Sequence, residues 1–358
     1  MKTAVILGTR PEIIKMAPVI RELARRKRDY FILHTGQHYS YNLDRVFFEQ
    51  LELPEASYNL EAGSGSHAEE TGKMLIGIEK ILGKENPGFV LVEGDTNSVL
   101  AGALAAAKLH IRVGHVEAGL RSYDRSMPEE INRVLADHIA DQLYAPTPTA
   151  REILRGEGIP EDKIFVTGNT IVDSVFQNVK LAEGKNSTLN DLKLERGNFF
   201  LVTLHRQENV DIKARFTAIL EGLSRLAAEA ALPVVYPVHP RSRKRMAEFG
   251  LKTEKIRLIE PVDFLSFLQL ESNARLVLTD SGGVQEEACI LKVPCVTIRD
   301  NTERPETIEV GANILSGASP EKIRECARLM LSKERNWANP FGDGKAGKRI
   351  VDILEAAK

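Results

Sequence analysis

Asp280-Ser281-Gly282-Gly283-Val284-Gln285-Glu286-Glu287 follows the apolar run 274–279. A short apolar run that ends on a small polar and glycine turn, and then opens a helical pattern, reads as a buried strand feeding a helix N-terminus. The two glycines let the backbone come close to a ligand. The free N–H groups of the first helical turn favour an anion there. Glu287 lies one turn in, within reach of hydroxyls beside that anion. The stretch reads as a site for a nucleoside diphosphate with its ribose, or as an ordinary strand-to-helix turn capped by Ser281. The rest of the chain has to decide between them.

Outward from this segment, short apolar runs alternate with longer amphipathic ones. Strands are expected over 3–8, 30–35, 88–93, 111–117 and 142–145, with helices over 11–27, 67–84, 97–110 and 128–140. Pro11 and Pro128 suit first helical turns. The pattern weakens after Asn169, and 184–198 is polar and turn-rich, the best place for a boundary. A second series of strands is expected over 198–204, 233–238, 256–259, 275–279 and 295–298. Apolar strands alternating with helices indicate parallel sheets covered on both faces. The expected fold is α/β, with two doubly wound Rossmann-like domains facing a cleft. Residues 1–170 form an N-terminal domain with most of the acid–base residues, and 171–340 a nucleotide-binding domain. In 341–358 a final helix, near 346–356, packs back on the first domain. In doubly wound sheets ligands bind beyond the strand C-termini.

The length of 358 residues is natural for two such domains, and the net charge of -2 leaves no basic footprint for nucleic acid. Three cysteines, Cys289, Cys295 and Cys326, show no metal or redox spacing and suit a reducing compartment. The N-terminal apolar run is too short for a signal peptide, and no run is long enough to span a membrane. The expectation is a soluble cytoplasmic protein. No Walker A sequence and no Asp-x-Asp pair occur, and the eight histidines lack metal-ligand spacing. No metal and no cofactor is expected. Gly63-Ser64-Gly65-Ser66-His67-Ala68 fits a dinucleotide glycine pattern formally, but no apolar strand precedes it, so it reads as a loop.

The other strand tips carry chemistry of their own. Arg10 and Lys15, after the first strand, sit on one side of a helix start where cations suit phosphate oxygens. Asp95 ends the third strand and also fits a helix N-cap. Glu117 ends the fourth strand among small residues. Glu129 and Glu130 open the next helix, where acids also serve its dipole. Three carboxylates at neighbouring tips suggest acid–base work. In the second half, His205-Arg206 and His239 follow successive strands. Arg299-Asp300-Asn301-Thr302-Glu303-Arg304-Pro305-Glu306 is a charge-dense loop after the last strand, next to the nucleotide segment.

Together these motifs resemble the non-hydrolysing UDP-N-acetylglucosamine 2-epimerases nearly end to end. The match includes Gly8-Thr9-Arg10-Pro11-Glu12, Gly94-Asp95-Thr96 and Gly114-His115-Val116-Glu117-Ala118-Gly119-Leu120-Arg121. It continues through Pro128-Glu129-Glu130 with Asn132-Arg133, Gly168-Asn169-Thr170, His205-Arg206, 279–287 and 302–306. Where many relatives have Gly-His-Arg-Arg-Glu, this chain has Gln207 in place of the second Arg.

The resemblance implies a fold like the B-type glycosyltransferases. It implies UDP held by Ser281, Gly282, Gly283 and Glu287, with uracil near Val262 and Phe267. Arg10, Lys15, Arg206, His239 and Arg304 would supply charge and hydrogen bonds around the nucleotide. Asp95, Glu117, Glu129 and His205 would carry the proton chemistry, and Gln37 and His38 match an activating site for a second UDP-GlcNAc. The implied reaction interconverts UDP-GlcNAc and UDP-ManNAc through anti elimination of UDP and a 2-acetamidoglucal intermediate, in a homodimer that serves polysaccharide synthesis. The alternatives are a hydrolysing epimerase that releases UDP and free ManNAc, a glycosyltransferase on the same fold, and a non-catalytic UDP-sugar sensor. The last would be expected to have lost one of the four acid–base residues, and all four are present.

Overall fold

The computed structural model describes residues 1–36, 41–63, 65–185, 188–253 and 255–356. The chain forms two compact units, Met1–Gln177 with Phe341–Lys358, and Asn178–Pro340. The break falls inside the continuous helix Thr170–Lys185, earlier than the polar stretch 184–198. That stretch belongs to the second unit because Leu189, Leu192 and Leu194 pack into its core.

The first unit holds, among the described residues, strands β1 (Thr3–Leu7), β2 (Tyr30–His34), β3 (Tyr58–Asn59), β4 (Phe89–Glu93), β5 (Arg112–Val116), β6 (Gln142–Ala145) and β7 (Ile164–Val166). They form a parallel sheet in the order β3-β2-β1-β4-β5-β6-β7. Every residue of β1 is buried, so both faces are covered. Ala4 and Ile6 face a core with Met74, Ile78 and Leu82 of the helix His67–Glu85 and Val99 of the helix Asn97–Lys108. Ser66 and Glu69 form a capping box at the start of His67–Glu85, which accounts for the glycine-serine stretch before it.

The helix Arg10–Arg25 packs against the C-terminal helix Ala346–Ala356. A Cβ on Gly347 would lie 3.0 Å from the Pro18 backbone, and Asp173 accepts the N–H groups of Ala346 and Gly347.

The second unit repeats the plan with β8 (Phe200–Thr203), β9 (Val234–Pro237), β10 (Ile256–Ile259), β11 (Leu276–Thr279), β12 (Cys295–Thr297) and β13 (Asn313–Leu315), all parallel, in the order β10-β9-β8-β11-β12-β13. In each sheet the order reverses once, between β1 and β4 and between β8 and β11. Beyond such a reversal the helices diverge to opposite faces and leave a crevice at the strand C-termini. The motifs singled out from the sequence follow β1, β4 and β5 in one unit and β8 and β11 in the other.

No helix among the described residues is long and apolar enough to cross a membrane. Among those residues no group of three or more His, Cys, Asp or Glu is arranged to hold a metal ion.

Candidate functional site

In the first unit the tips of β1, β4 and β5 converge on buried charge. A Cβ on Gly8 would lie 2.0 Å from Thr35 Oγ1 and 2.2 Å from Ser98 Oγ, so only glycine leaves room for the tip of β1. The chain turns there into Arg10–Arg25, whose Glu12 folds back under the turn. Its carboxylate accepts the N–H groups of Gly8 and Thr9 and the Thr96 hydroxyl, which fastens the β1 tip to the β4 tip. Burial pushes the Glu12 carboxyl up to about 7 against those three donors.

Lys15, one turn further on, places Nζ 2.7 Å from both oxygens of Glu117 and 3.4 Å from Glu93. Asn169 Nδ2 donates to Glu117 at 3.2 Å. Glu93 is buried, and burial holds its carboxyl well above the ordinary value. Lys15 pulls it down, and Glu117, Glu12 and Asp95 push it up. Glu117 adopts φ +68°, a left-handed conformation rare for a residue with a long side chain. Such strain at a strand tip is held in place only by surrounding contacts.

Those contacts are a buried network around Asp137, on the helix Pro128–Ile139. Asp137 accepts from His115 Nδ1 at 2.7 Å, from the Gly119 N–H at 3.1 Å and from Arg121 at 2.7 Å. The other ring nitrogen of His115 faces the Gly94 carbonyl at 2.8 Å. Both ring nitrogens face acceptors, so both donate and His115 is an imidazolium. Burial works against that charge, but Asp137 outweighs it and raises His115 above its ordinary value. One carboxylate thereby fixes the loop before Asp95 and the loop after Glu117.

Asp95 does not cap a helix: Thr96 takes the N-cap position of Asn97–Lys108. Asp95 pairs instead with Arg133, which also reaches Glu130, and Asn132 donates to the Asp95 carbonyl at 3.0 Å. Glu130 accepts from the backbone of Ser122 and Tyr123 and shapes the loop, whereas Glu129 beside it is exposed. Arg10 lies over the ring of Phe47, 5.0 Å from its centroid. Gln37 and His38 lie outside the described residues.

In the second unit the tips of β8 and β11 are stitched together by Asp280. It is fully buried and accepts the N–H groups of His205 and Arg206, Asn209 Nδ2 at 3.1 Å, and His205 Nδ1 at 3.2 Å. Burial raises its carboxyl, but these partners, led by His205, bring it below the ordinary value. The His205 side chain stays 47% exposed while its backbone is locked. The Ser281 N–H is taken by Thr279 Oγ1 at 2.9 Å, and the helix Gly282–Ile290 starts without a side-chain cap.

A Cβ on Gly282 would strike Glu303 at 2.7 Å, whereas one on Gly283 would meet nothing closer than 4.0 Å. Glu303 binds Arg299 and Arg206, and Arg304 pairs with Glu286 at 2.8 Å. His239 caps the helix Pro240–Phe249 by accepting the Arg241 N–H at 3.3 Å. Val262 and Phe267 are half-buried on the core that lies behind β11. Glu287 is half-buried, with its carboxyl pushed up to about 7 by burial, and it hydrogen-bonds the carboxyl of Glu271.

A family model described as UDP-N-acetylglucosamine 2-epimerase matches residues 21–355. The chain belongs to that family. It is 58% identical over 367 residues to the UDP-N-acetylglucosamine 2-epimerase of Methanocaldococcus jannaschii, covering 100% of both chains. It is 43% identical over 356 residues to the UDP-2,3-diacetamido-2,3-dideoxy-D-glucuronate 2-epimerase of Pseudomonas aeruginosa, covering 99% of each. A crystal structure of the M. jannaschii epimerase in complex with UDP-GlcNAc and UDP matches with a TM-score of 0.86 at 58% identity, over 100% of each chain. The two doubly wound α/β units are those of this epimerase family, with its GT-B-like architecture.

The motifs quoted from the sequence follow β1, β4, β5 and β7 in the first unit and β8, β11 and β12 in the second. Of the four expected acid–base residues, Glu117, Asp95 and His205 are each held by buried or half-buried partners, and Glu129 is exposed. Glu93, Asp137 and Glu271 were not singled out from the sequence. Glu93 ends an apolar strand and Glu271 continues an apolar helix face, and that misfit is the available signal; Asp137 shares its buried face with Glu130 and Asn132 and carries no such signal.

Proposed function

We propose that the protein is a non-hydrolysing UDP-GlcNAc 2-epimerase, which interconverts UDP-GlcNAc and UDP-ManNAc without NAD or a metal. The observation that carries this reading is the buried Lys15–Glu117 ion pair beside Glu93 at the reversal of the first sheet. An ionisable pair at the strand C-termini, where this fold binds ligands, supports a role in proton transfer. The UDP-GlcNAc and UDP named for the M. jannaschii structure support the choice of substrate.

In the proposed reaction a base removes the C2 proton as the C1–O bond breaks. The electron pair of the C–H bond forms the C1=C2 bond, and UDP leaves with the electrons of the C1–O bond. A proton then reaches C2 from the opposite face and the UDP oxygen re-adds at C1. The C2 proton is weakly acidic, with no carbonyl at C1 or C3 to spread charge, so loss of the diphosphate must assist it. Asp95, Glu117, Glu129 and His205 are the proposed proton carriers. The Gly282–Ile290 N-terminus with Ser281 and Gly283 is proposed to hold the diphosphate, aided by Arg10, Lys15, Arg206, His239 and Arg304. In this reading Arg206 and Arg304 exchange Glu303 and Glu286 for phosphate oxygens. Glu287 takes the ribose hydroxyls, and Val262 and Phe267 the uracil. A homodimer in the cytoplasm that supplies ManNAc units for polysaccharide, with UDP-GlcNAc as a second, activating ligand, completes the proposal.

The test is proton NMR of the protein with UDP-GlcNAc in D2O. UDP-ManNAc deuterated at C2 is expected. Free ManNAc with UDP would make the enzyme a hydrolysing epimerase, and absence of exchange despite UDP binding would overturn the reaction.

A further inference from the structure

The helix Phe264–Asn273 buries Leu265, Leu268 and, at the next i+3 position, Glu271. Glu271 is fully buried, and neither carboxylate oxygen receives an N–H or hydroxyl donor among the described residues. Its hydrogen-bonded partner is another acid, Glu287 of the helix Gly282–Ile290. Among the described residues no lysine or arginine is paired with Glu271 or Glu287: the neighbouring Arg304 is paired with Glu286, and the nearby thiols of Cys289 and Cys295 are kept neutral by burial.

Two carboxyl groups in contact without a cation must share a proton. A charge costs most where burial is complete, so the proton belongs to Glu271 and the charge to half-buried Glu287. The Glu271 O–H then points at one Glu287 oxygen and leaves the other free. We infer that Glu271 is the positioning residue of the ribose site: its buried O–H donates to Glu287 and fixes that carboxylate to accept the ribose hydroxyls of the nucleoside diphosphate. The inference rests on the proposed assignment of Glu287 to the ribose.

The experiment is titration calorimetry of UDP and 2′-deoxy-UDP against the full-length protein, Glu287→Gln, Glu271→Met and Glu271→Gln. Methionine fills the buried volume without a donor and has no desolvation penalty, so Glu271→Met is expected to fold at least as well as the parent. The parent should prefer UDP over its deoxy analogue, and Glu287→Gln should abolish the preference. Glu271→Met should reduce that preference about tenfold, the weight of one hydrogen bond to a charged group. Glu271→Gln keeps a donor, its amide, and should retain the preference within roughly threefold. A purely structural role for Glu271 would alter melting temperature and leave the ratio of the two affinities unmoved. An unchanged ratio in Glu271→Met, with the ratio lost in Glu287→Gln, overturns the inference and leaves the ribose assignment standing. An unchanged ratio in Glu287→Gln overturns the ribose assignment itself, and the inference with it.

Discussion

Glu93 with Glu117 in the first unit and Glu271 with Glu287 in the second each join a buried acid to a half-buried one, but among the described residues only the first pair has a cation between its members. Lys15 lies within 2.7 Å of Glu117 and 3.4 Å of Glu93. Glu271 and Glu287 face each other with no paired cation among the described residues. The sheets share one winding plan, so topology does not account for the difference. On the proposed function, the lysine pair suits a group that exchanges protons. The lysine-free pair suits a group that must hold still and accept hydrogen bonds. Two sheets with one winding order thus carry acid pairs with different partners, and the lysine on the helix after β1 makes the difference.

Removing that residue is the strongest way to break the contrast. Lys15→Met leaves two buried carboxyls without their cation. It should cost about 3–5 kcal/mol in denaturant unfolding and slow C2 exchange by at least about a hundredfold. Adding Glu93→Gln to this variant should recover at least about 1 kcal/mol. Strict additivity of the two changes would show that Lys15 and Glu93 do not interact.

The next effect is pH dependence. Glu12 moves from an ordinary 4.5 to about 7 on folding, so folding takes up a proton between those values. Its neutral form is the favourable one, so stability falls as pH rises from 4.5 to 7, by about 3 kcal/mol. His115, raised above its ordinary 6.5, acts in the same direction at higher pH. Its stabilisation is complete below 6.5 and is lost as pH climbs through the folded value. Urea midpoints across pH 5–9 should slope downward, and Glu12→Gln should flatten the lower part alone. A flat parent profile would refute both assignments.

Asp280 tests the second unit. Asp280→Asn replaces an acceptor of two backbone N–H groups with a side chain that is half donor. It should cost roughly 1–3 kcal/mol and weaken UDP binding about tenfold by loosening His205 and Arg206. Unchanged binding in a destabilised protein would confine Asp280 to the fold. The smallest effects separate two glycines, Gly8 after β1 and Gly283 in the helix after β11. Gly8→Ala has no space and should cost about 1–3 kcal/mol in thermal unfolding. Gly283→Ala has space and should change stability by less than about 0.5 kcal/mol. It should still weaken UDP binding if the diphosphate lies over the turn.

Most of the strand positions follow from features visible in the chain. Apolar runs gave the central strands to within a residue or two because those strands are buried on both faces. The missed strands, Tyr58–Asn59, Ile164–Val166 and Asn313–Leu315, are two or three residues long and partly exposed, so they carry neither a run nor an alternation. Asp95 fits a helix N-cap in sequence, but Thr96 takes that position and Asp95 pairs with Arg133. Arg206, Arg304 and His239 stand out in the chain as candidates for an anion site, but their partners Glu303, Glu286 and the Arg241 N–H do not.

The sequence by itself determined the winding of the two sheets and the chemistry offered at each strand tip, because hydrophobic period and turn residues are local properties. Only the tertiary structure decided which charges meet. Lys15 and Glu117 are 102 residues apart in the chain, and His205 and Asp280 are 75 apart. Whether Glu271 faces solvent or another carboxyl depends on how two helices pack. Coulomb and desolvation energies depend on distance and burial in three dimensions, and the linear chain specifies neither until it has folded.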